Sequence, residues 1–385
     1  MAKRGKRSST KRMKRNNKPS TVVIDPEGDL TLTVGDEAVA FIVCPKTVAR
    51  ASSVWKNMLY GGFAESIQPD KDSSEEWIVR LPDDNPGSMK ILLDIIHSRF
   101  DRVPTSVHFD NTRSDRRSIT FKDLFLLTVL TDKYDLTRNI RPWARKWLSD
   151  IDTSGPLAVN FKGFEATDMD RICWITWELG NEETFTNAIR KITLEFVKVE
   201  GQLKQELGGP ELFSLGYEPA NVSSLVDSYR EETVGKMLKL LTDVIEKLLQ
   251  RNKSGNTSLC AYKGDIYYMT EGADCEITML GAIIKSLSDS GLWPIPNPTE
   301  LQMSVLDLAS KLRHLDTKSR RYDHSCKALP NIEATIEALT TRESILLPEA
   351  YALHIKAQAE KTGLVQSCED DDEDIGLQQE IQLST

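Results

Sequence analysis

The chain has 385 residues, of which 39% are hydrophobic and 28% charged, and its formal net charge is −9 at pH 7. This composition is typical of globular protein, and the length favours two folded units. The sequence has no run of about 18 apolar residues, and no apolar segment follows its basic N-terminus, so we expect neither a membrane-spanning helix nor a secretory signal. Six scattered cysteines without a CxxC pair predict reduced thiols in an intracellular protein.

The charges are concentrated at the two ends. Residues 1–20 hold nine Lys/Arg and no acid, whereas Glu369–Asp374 is an unbroken acidic run. Like charges keep such segments extended, so we predict a disordered basic tail over 1–21 and a disordered acidic tail over 367–385. The basic clusters resemble a bipartite nuclear localisation signal and predict a nuclear or nucleocytoplasmic location; their residues are Lys3, Arg4, Lys6, Arg7, Lys11, Arg12, Lys14 and Arg15.

The first predicted elements are strands. Apolar and Thr residues alternate over 30–34, Gly35-Asp36-Glu37 supplies turn chemistry, and 38–44 is a second apolar strand, so the pair predicts a β-hairpin. Pro45 then favours the first turn of a helix. Two short helices over 46–50 and 53–59 and a third strand over 77–81 follow.

Three helices complete this first module. The first has Met89, Leu92, Leu93 and Ile96 on one face, the second spans 121–134, and the third spans 139–148. We expect the polar stretch 102–118 between them to be a loop. A small sheet covered by helices predicts an α+β domain over 22–150.

The remainder, residues 151–366, predicts a mostly α-helical region. One long amphipathic helix covers 237–248 and another covers 280–287. Thr299 and Gln302 have the spacing of a capping box, and they precede a helix whose core face is Val305, Leu308, Ala309 and Leu312.

The order of elements and several strings resemble the BTB/POZ domain in its fungal form. The strings are Phe41–Leu59, Gly62–Ser66, Ile96–Pro104 and Thr131–Leu136. More loosely, the second half is similar to the helical extension of fungal BTB-domain proteins. The resemblance implies an α+β BTB/POZ domain followed by a mostly α-helical C-terminal region, and it implies a protein-binding adaptor or scaffold.

The resemblance also implies two kinds of partner. Phe63 and Glu65 match the hydrophobic-x-Glu motif with which BTB domains bind a cullin scaffold, where the aromatic ring fills a pocket. The alternative is that Phe63 packs under its own loop and Glu65 is solvated. Homodimerisation is the other common BTB activity, and it would bury the first hairpin and the nearby helix against a symmetric copy.

A zinc site is a further hypothesis, although the default expectation is no cofactor. Thiolate and imidazole are preferred zinc ligands, and the candidates are Cys260, Cys275, His324 and Cys326. Their spacing is longer than in a zinc finger. The alternative is a set of cysteines without metal.

No common catalytic motif occurs, so we expect a protein that is not an enzyme and has no small-molecule substrate. The alternative function is a nuclear transcription or chromatin co-regulator whose basic tail contacts nucleic acid. Outside that tail the chain is acidic and would repel nucleic acid, so such binding would be weak and would depend on the tail.

Overall fold

A computed structural model describes residues 20–69, 75–109, 117–158, 167–205, 208–250, 269–317, 326, 328–329, 331–341 and 345–365. The chain divides into two compact units, one within 1–105 and 112–140 and the other within 106–111 and 141–385. The sequence placed the boundary near residue 150, whereas the structure groups the helix from residue 141 with the second unit. The fold is mixed α/β, with a small sheet near the N-terminus and a mostly helical remainder.

The strands, in chain order, are β1 (Thr21–Val23), β2 (Leu30–Val34), β3 (Val39–Val43), β4 (Trp77–Leu81), β5 (Ser106–His108), β6 (Ser118–Thr120), β7 (Val197–Val199) and β8 (Gln202–Lys204). The helices are α1 (Pro45–Ala51), α2 (Ser53–Tyr60), α3 (Pro86–Ile96), α4 (Phe121–Lys133), α5 (Arg141–Ser154), α6 (Asp168–Leu179), α7 (Glu182–Glu195), α8 (Val222–Leu249), α9 (Met269–Asp289), α10 (Val305–Arg313), α11 (Ile332–Thr340) and α12 (Glu349–Thr362).

The sheet of the first unit has the strand order β1-β3-β2-β4. Strands β2 and β3 form the predicted antiparallel hairpin, while β1 lies parallel to β3 and β4 lies parallel to β2. Leu30, Leu32 and Val34 alternate with less buried threonines and are fully buried, because successive side chains of a strand point to opposite faces. The sequence reasoning missed β1, whose three residues are too few to show a pattern.

A buried polar network joins the helices of the first unit. The Ser52 hydroxyl accepts a hydrogen bond from the Trp55 backbone N–H and donates one to the Tyr134 carbonyl, at 3.0 Å and 2.6 Å. The Tyr134 ring lies 4.8 Å from that of Trp55, and its hydroxyl donates to the buried Asp84, which Lys133 also contacts at 2.6 Å. The sequence strings Phe41–Leu59 and Thr131–Leu136 therefore contact each other in the core of the first unit.

Several expectations about elements need correction. The stretch 102–118, expected to be a loop, contains β5, and the region expected to be helical contains the β7–β8 hairpin. Helix α10 forms as predicted, but its capping residue is Ser304, whose hydroxyl accepts from the Asp307 N–H at 3.0 Å and donates to the Asp307 carboxylate at 2.8 Å. The predicted capping residue, Thr299, lies instead in a separate 3₁₀ turn, Pro298–Glu300.

The second unit is built around two sets of helices. Helices α8 to α11 enclose an apolar cluster to which Met237, Leu241, Ile283 and Leu308 contribute fully buried side chains. The other set is α5, α6, α7 and α12. Here α12 approaches the end of α6 so closely that a Cβ at Gly180 would collide with the backbone of Ala359. Gly180 also has φ +82, which favours glycine.

Candidate partner-binding surfaces

The segment after α2 places the predicted Phe63–Glu65 motif on the surface of the first unit. Helix α2 ends at Tyr60, and Gly62 turns the chain with φ +84, a conformation that glycine adopts without strain. A short 3₁₀ turn, Ala64–Ser66, follows, and the Ser66 hydroxyl donates to the Phe63 carbonyl at 2.6 Å. The motif therefore sits on a structured turn.

A buried tryptophan fixes this turn to the sheet. Trp77 begins β4, and its indole Nε1 donates a hydrogen bond of 2.8 Å to the backbone carbonyl of Glu65. The Tyr60 ring packs edge-on against the same indole, with 6.2 Å between centroids. Burial, with Asp29 and Cys44 nearby, raises the pKa of Tyr60, so its hydroxyl is neutral at physiological pH. The backbone of the segment is thus held while its side chains point outward.

The side chains presented by this turn are apolar and exposed. Phe63 is 59% exposed and Ile67 is 75% exposed, and neighbouring Tyr60 is 46% exposed. The exposure of Phe63 contradicts the first half of the alternative, that this ring packs under its own loop, whereas Glu65 is exposed as the second half of that alternative expected. We call Tyr60, Phe63, Glu65 and Ile67 the turn surface. Large apolar groups held in solvent by an anchored backbone are typical of partner-binding sites.

The outer face of the sheet is a second surface. The strand register aligns Val23, Ile42, Thr31 and Ile78 in one row across all four strands. Val23 and Ile78 are exposed at the two edges of the sheet, and a cleft of about 560 Å³ lies against Thr31 and Ile42. The opposite face of the hairpin is used by the unit's own core, so a symmetric contact would use this outer row. The homodimer stays a prediction.

The string Ile96–Pro104 positions the hairpin and β1. His97 Nε2 accepts the Cys44 backbone N–H at 3.3 Å while its Nδ1 lies 3.0 Å from the Leu93 carbonyl, which fits a neutral ring protonated at Nδ1. Arg99 donates to the Val23 and Ile24 carbonyls at the end of β1 and pairs with the buried Asp94 at 3.2 Å. The sequence alone did not indicate these contacts.

Two of the four candidate zinc ligands lie within the described residues. Cys275 and Cys326 are both buried in the apolar cluster of α8 to α11, whereas Cys260 and His324 lie outside the described residues. Within the described ranges, no group of three or more His, Cys, Asp or Glu side chains is arranged to hold a metal. The complete four-residue site therefore stays a prediction.

The terminal segments also lie outside the described residues. They comprise the acidic run from Glu369 and the basic clusters Lys3, Arg4, Lys6, Arg7, Lys11, Arg12, Lys14 and Arg15. Nuclear localisation and contact with nucleic acid stay predictions. Among the described helices, none is long and apolar enough to cross a membrane.

The second unit buries ionisable groups that the sequence reasoning did not single out. Asp170 on α6 accepts the Phe213 backbone N–H at 2.7 Å, and burial raises the pKa of its carboxyl to about 6. Arg230 on α8 donates to the carbonyls of Phe196, Leu301 and Met303, and burial lowers the pKa of its guanidinium. Both groups bond to backbone atoms of distant loops, which assigns them an architectural role.

Cys173 and His354 are two further side chains of the second unit whose pKa values are shifted by burial. Cys173 is fully buried on α6, and burial raises the pKa of its thiol, so it stays protonated and unreactive. The His354 ring stacks on Trp177 with 3.9 Å between centroids, and burial lowers the pKa of its imidazole. Neither residue joins a nucleophile, a base and an orienting group into a catalytic arrangement.

Comparison with known proteins gives no match to a family model, to a curated protein or to a solved structure. The resemblance to fungal BTB/POZ proteins therefore rests on the four strings and on the element order, and it stays a hypothesis about this chain.

Proposed function

We propose that this chain is a non-catalytic adaptor whose first unit is a BTB/POZ-like domain that binds a protein partner through the turn surface. The observation that carries the proposal is the exposure of Phe63 and Ile67 on a backbone that Trp77 holds in place. An anchored turn loses little conformational entropy on binding, so exposed apolar side chains on it contribute most of their burial energy to affinity.

The partner that fits best is a cullin scaffold of a ubiquitin ligase. Phe63 is a ring that can enter an apolar pocket, and the carboxylate of Glu65 lies two residues away on the same 3₁₀ turn, where it can make a polar contact beside that pocket. Aromatic anchors at the centre of an interface typically contribute 2 kcal/mol or more, which is roughly a thirtyfold change in affinity. The helical second unit would then hold the second ligand of the adaptor.

The test compares binding of cullins by the purified full-length wild type and by the Phe63→Ala/Glu65→Ala variant. We expect the variant to bind about thirtyfold more weakly without a change in thermal unfolding, because both side chains lie outside the core. Phe100→Ala is the matched control, since Phe100 belongs to the same unit and is 56% exposed. Equal binding by wild type and variant, or no binding by the wild type, would refute the cullin assignment.

A further inference from the structure

The second unit contains an apolar groove between α5 and α12. Its volume is about 780 Å³, and the α6–α7 turn at Gly180–Glu182 contributes to its lining. Leu148 on α5 and Ala352 and Leu353 on α12 line it, and Leu353 is 60% exposed. Apolar surface open to water favours a ligand with apolar side chains.

The last described residue of the chain, Val365, lies at the rim of this groove. Helix α12 ends at Thr362, and the next residue, Gly363, has a φ of +71 that reverses the chain, so that the Leu364 N–H bonds to the Ala359 carbonyl at 2.9 Å. Leu364 and Val365 then line the groove. Arg145 of α5 donates to the Gly363 carbonyl at 3.1 Å, which fixes the exit point.

The segment that follows has an amphipathic sequence. Residues 375–383 place Ile375, Leu377, Ile381 and Leu383 at odd positions, with Gln379 as the one polar residue among them, and Gly, Gln or Glu at even positions. Alternation with a period of two gives an extended chain one apolar and one polar face. Such a chain buries every apolar side chain of this segment when that face enters a groove.

Reach and charge both favour this segment as the occupant. Residues 366–374 span up to about 30 Å when extended, whereas the α12 wall from 349 to 359 is about 15 Å long. The acidic run Glu369–Asp374 would lie near the exit, where Arg141 packs against Gly363 and Arg145 bonds to it. The groove lining carries three acids, Asp152, Glu182 and Glu349, against Lys356, so the acidic run is favoured beside the arginines at the exit rather than inside the groove.

We propose that residues 375–383 dock in extended form in the groove between α5 and α12 of the same chain, with the acidic run held at the arginines of α5. The docked segment covers the apolar lining of the groove. This proposal is independent of the function proposed for the first unit.

Hydrogen–deuterium exchange of the full-length protein tests the proposal. We expect the amides of 375–383 to exchange at least about tenfold more slowly than an unstructured peptide of the same sequence. Leu377→Asp/Ile381→Asp should abolish the slowing, whereas Gln378→Asp/Gln382→Asp adds the same charge to the opposite face and should preserve it. Leu353→Asp in the groove should also abolish it, and Leu306→Asp is its control, because Leu306 is exposed on α10, which does not line the groove.

Each contrary result overturns the proposal. Exchange of 375–383 at the unstructured rate in the wild type would show that the segment does not dock. Slowing that survives Leu353→Asp would place the segment elsewhere. Slowing that appears only at high protein concentration would show that a second copy supplies the segment. Unchanged thermal unfolding of all four variants would confirm that the effects do not come from loss of fold.

Discussion

The two units of this chain stabilise their folds by different means. The first rests on a four-stranded sheet whose alternate residues contribute to its core, and most of its exposed large apolar groups lie on one turn and one sheet face. The second rests on helices connected by long loops, and buried charged side chains bond to the backbone of those loops. The first unit takes most of its core from periodic strands and helices and adds polar contacts through Ser52, Tyr134 and Arg99. In the second unit, the buried charges of Asp170 and Arg230 bond to backbone that is far away in sequence.

Because buried charges bond to distant backbone in the second unit, we expect the largest loss of stability from removing one of them, Arg230. Arg230→Met should cost about 3 kcal/mol, because it leaves three carbonyls of distant loops without their donor. Hydrogen exchange of the α8 amides measures the loss of stability, and hydrogen exchange of the β2–β3 amides should not change. Lys236→Met on the exposed face of the same helix is the control and should cost less than about 0.5 kcal/mol. A loss below about 1 kcal/mol for Arg230→Met would show that this buried charge does not hold the second unit together.

The second prediction uses the acidity of Asp170. Its pKa is raised from 3.8 to about 6, so the folded state binds the proton more tightly than the unfolded state. Asp170 therefore contributes stability below about pH 4, and this contribution is lost as the pH rises through 6. Asn keeps an oxygen that accepts the Phe213 N–H but cannot ionise.

We expect the stability of the wild type minus that of Asp170→Asn to fall by about 2 kcal/mol between pH 4 and pH 7. Urea unfolding of both proteins at several pH values measures this difference, and taking the difference removes the contribution of the other carboxylates. A difference that does not vary with pH, or that rises with pH, would contradict the assigned pKa shift.

The smallest effect is expected for an anchor in the first unit. Tyr134→Phe keeps the ring against Trp55 and removes only the hydroxyl that bonds to Asp84, while Lys133 still neutralises that carboxylate. We expect a loss of about 1.5 kcal/mol, measured from exchange of the α4 amides. Tyr60→Phe at the half-exposed ring of the turn surface is the control and should change stability little. A loss as large as that from Arg230→Met would show that both units depend on buried polar anchors alike.

Local patterns explain which parts of this protein the sequence could predict. The alternation of β2, the apolar run of β3, the helical period of α3 and the largely apolar sequence of α4 each involve neighbours along the chain, and all four elements are confirmed. Phe63 could be named from a motif match because the motif is a run of three consecutive residues. Short elements such as β1 carry too few residues for a period to appear.

The sequence by itself determined the order of β2, β3, α1, α2, β4, α3 and α4, the mostly helical character of the second unit and the segments with an apolar face. Only the tertiary structure decided that Ser304 caps α10, that Trp77 anchors the turn surface and that Arg230 joins three distant carbonyls. The physical reason is that periodicity reports the burial of a face, which is a local property of the backbone. A hydrogen bond between groups far apart in sequence exists only once the chain has brought them together.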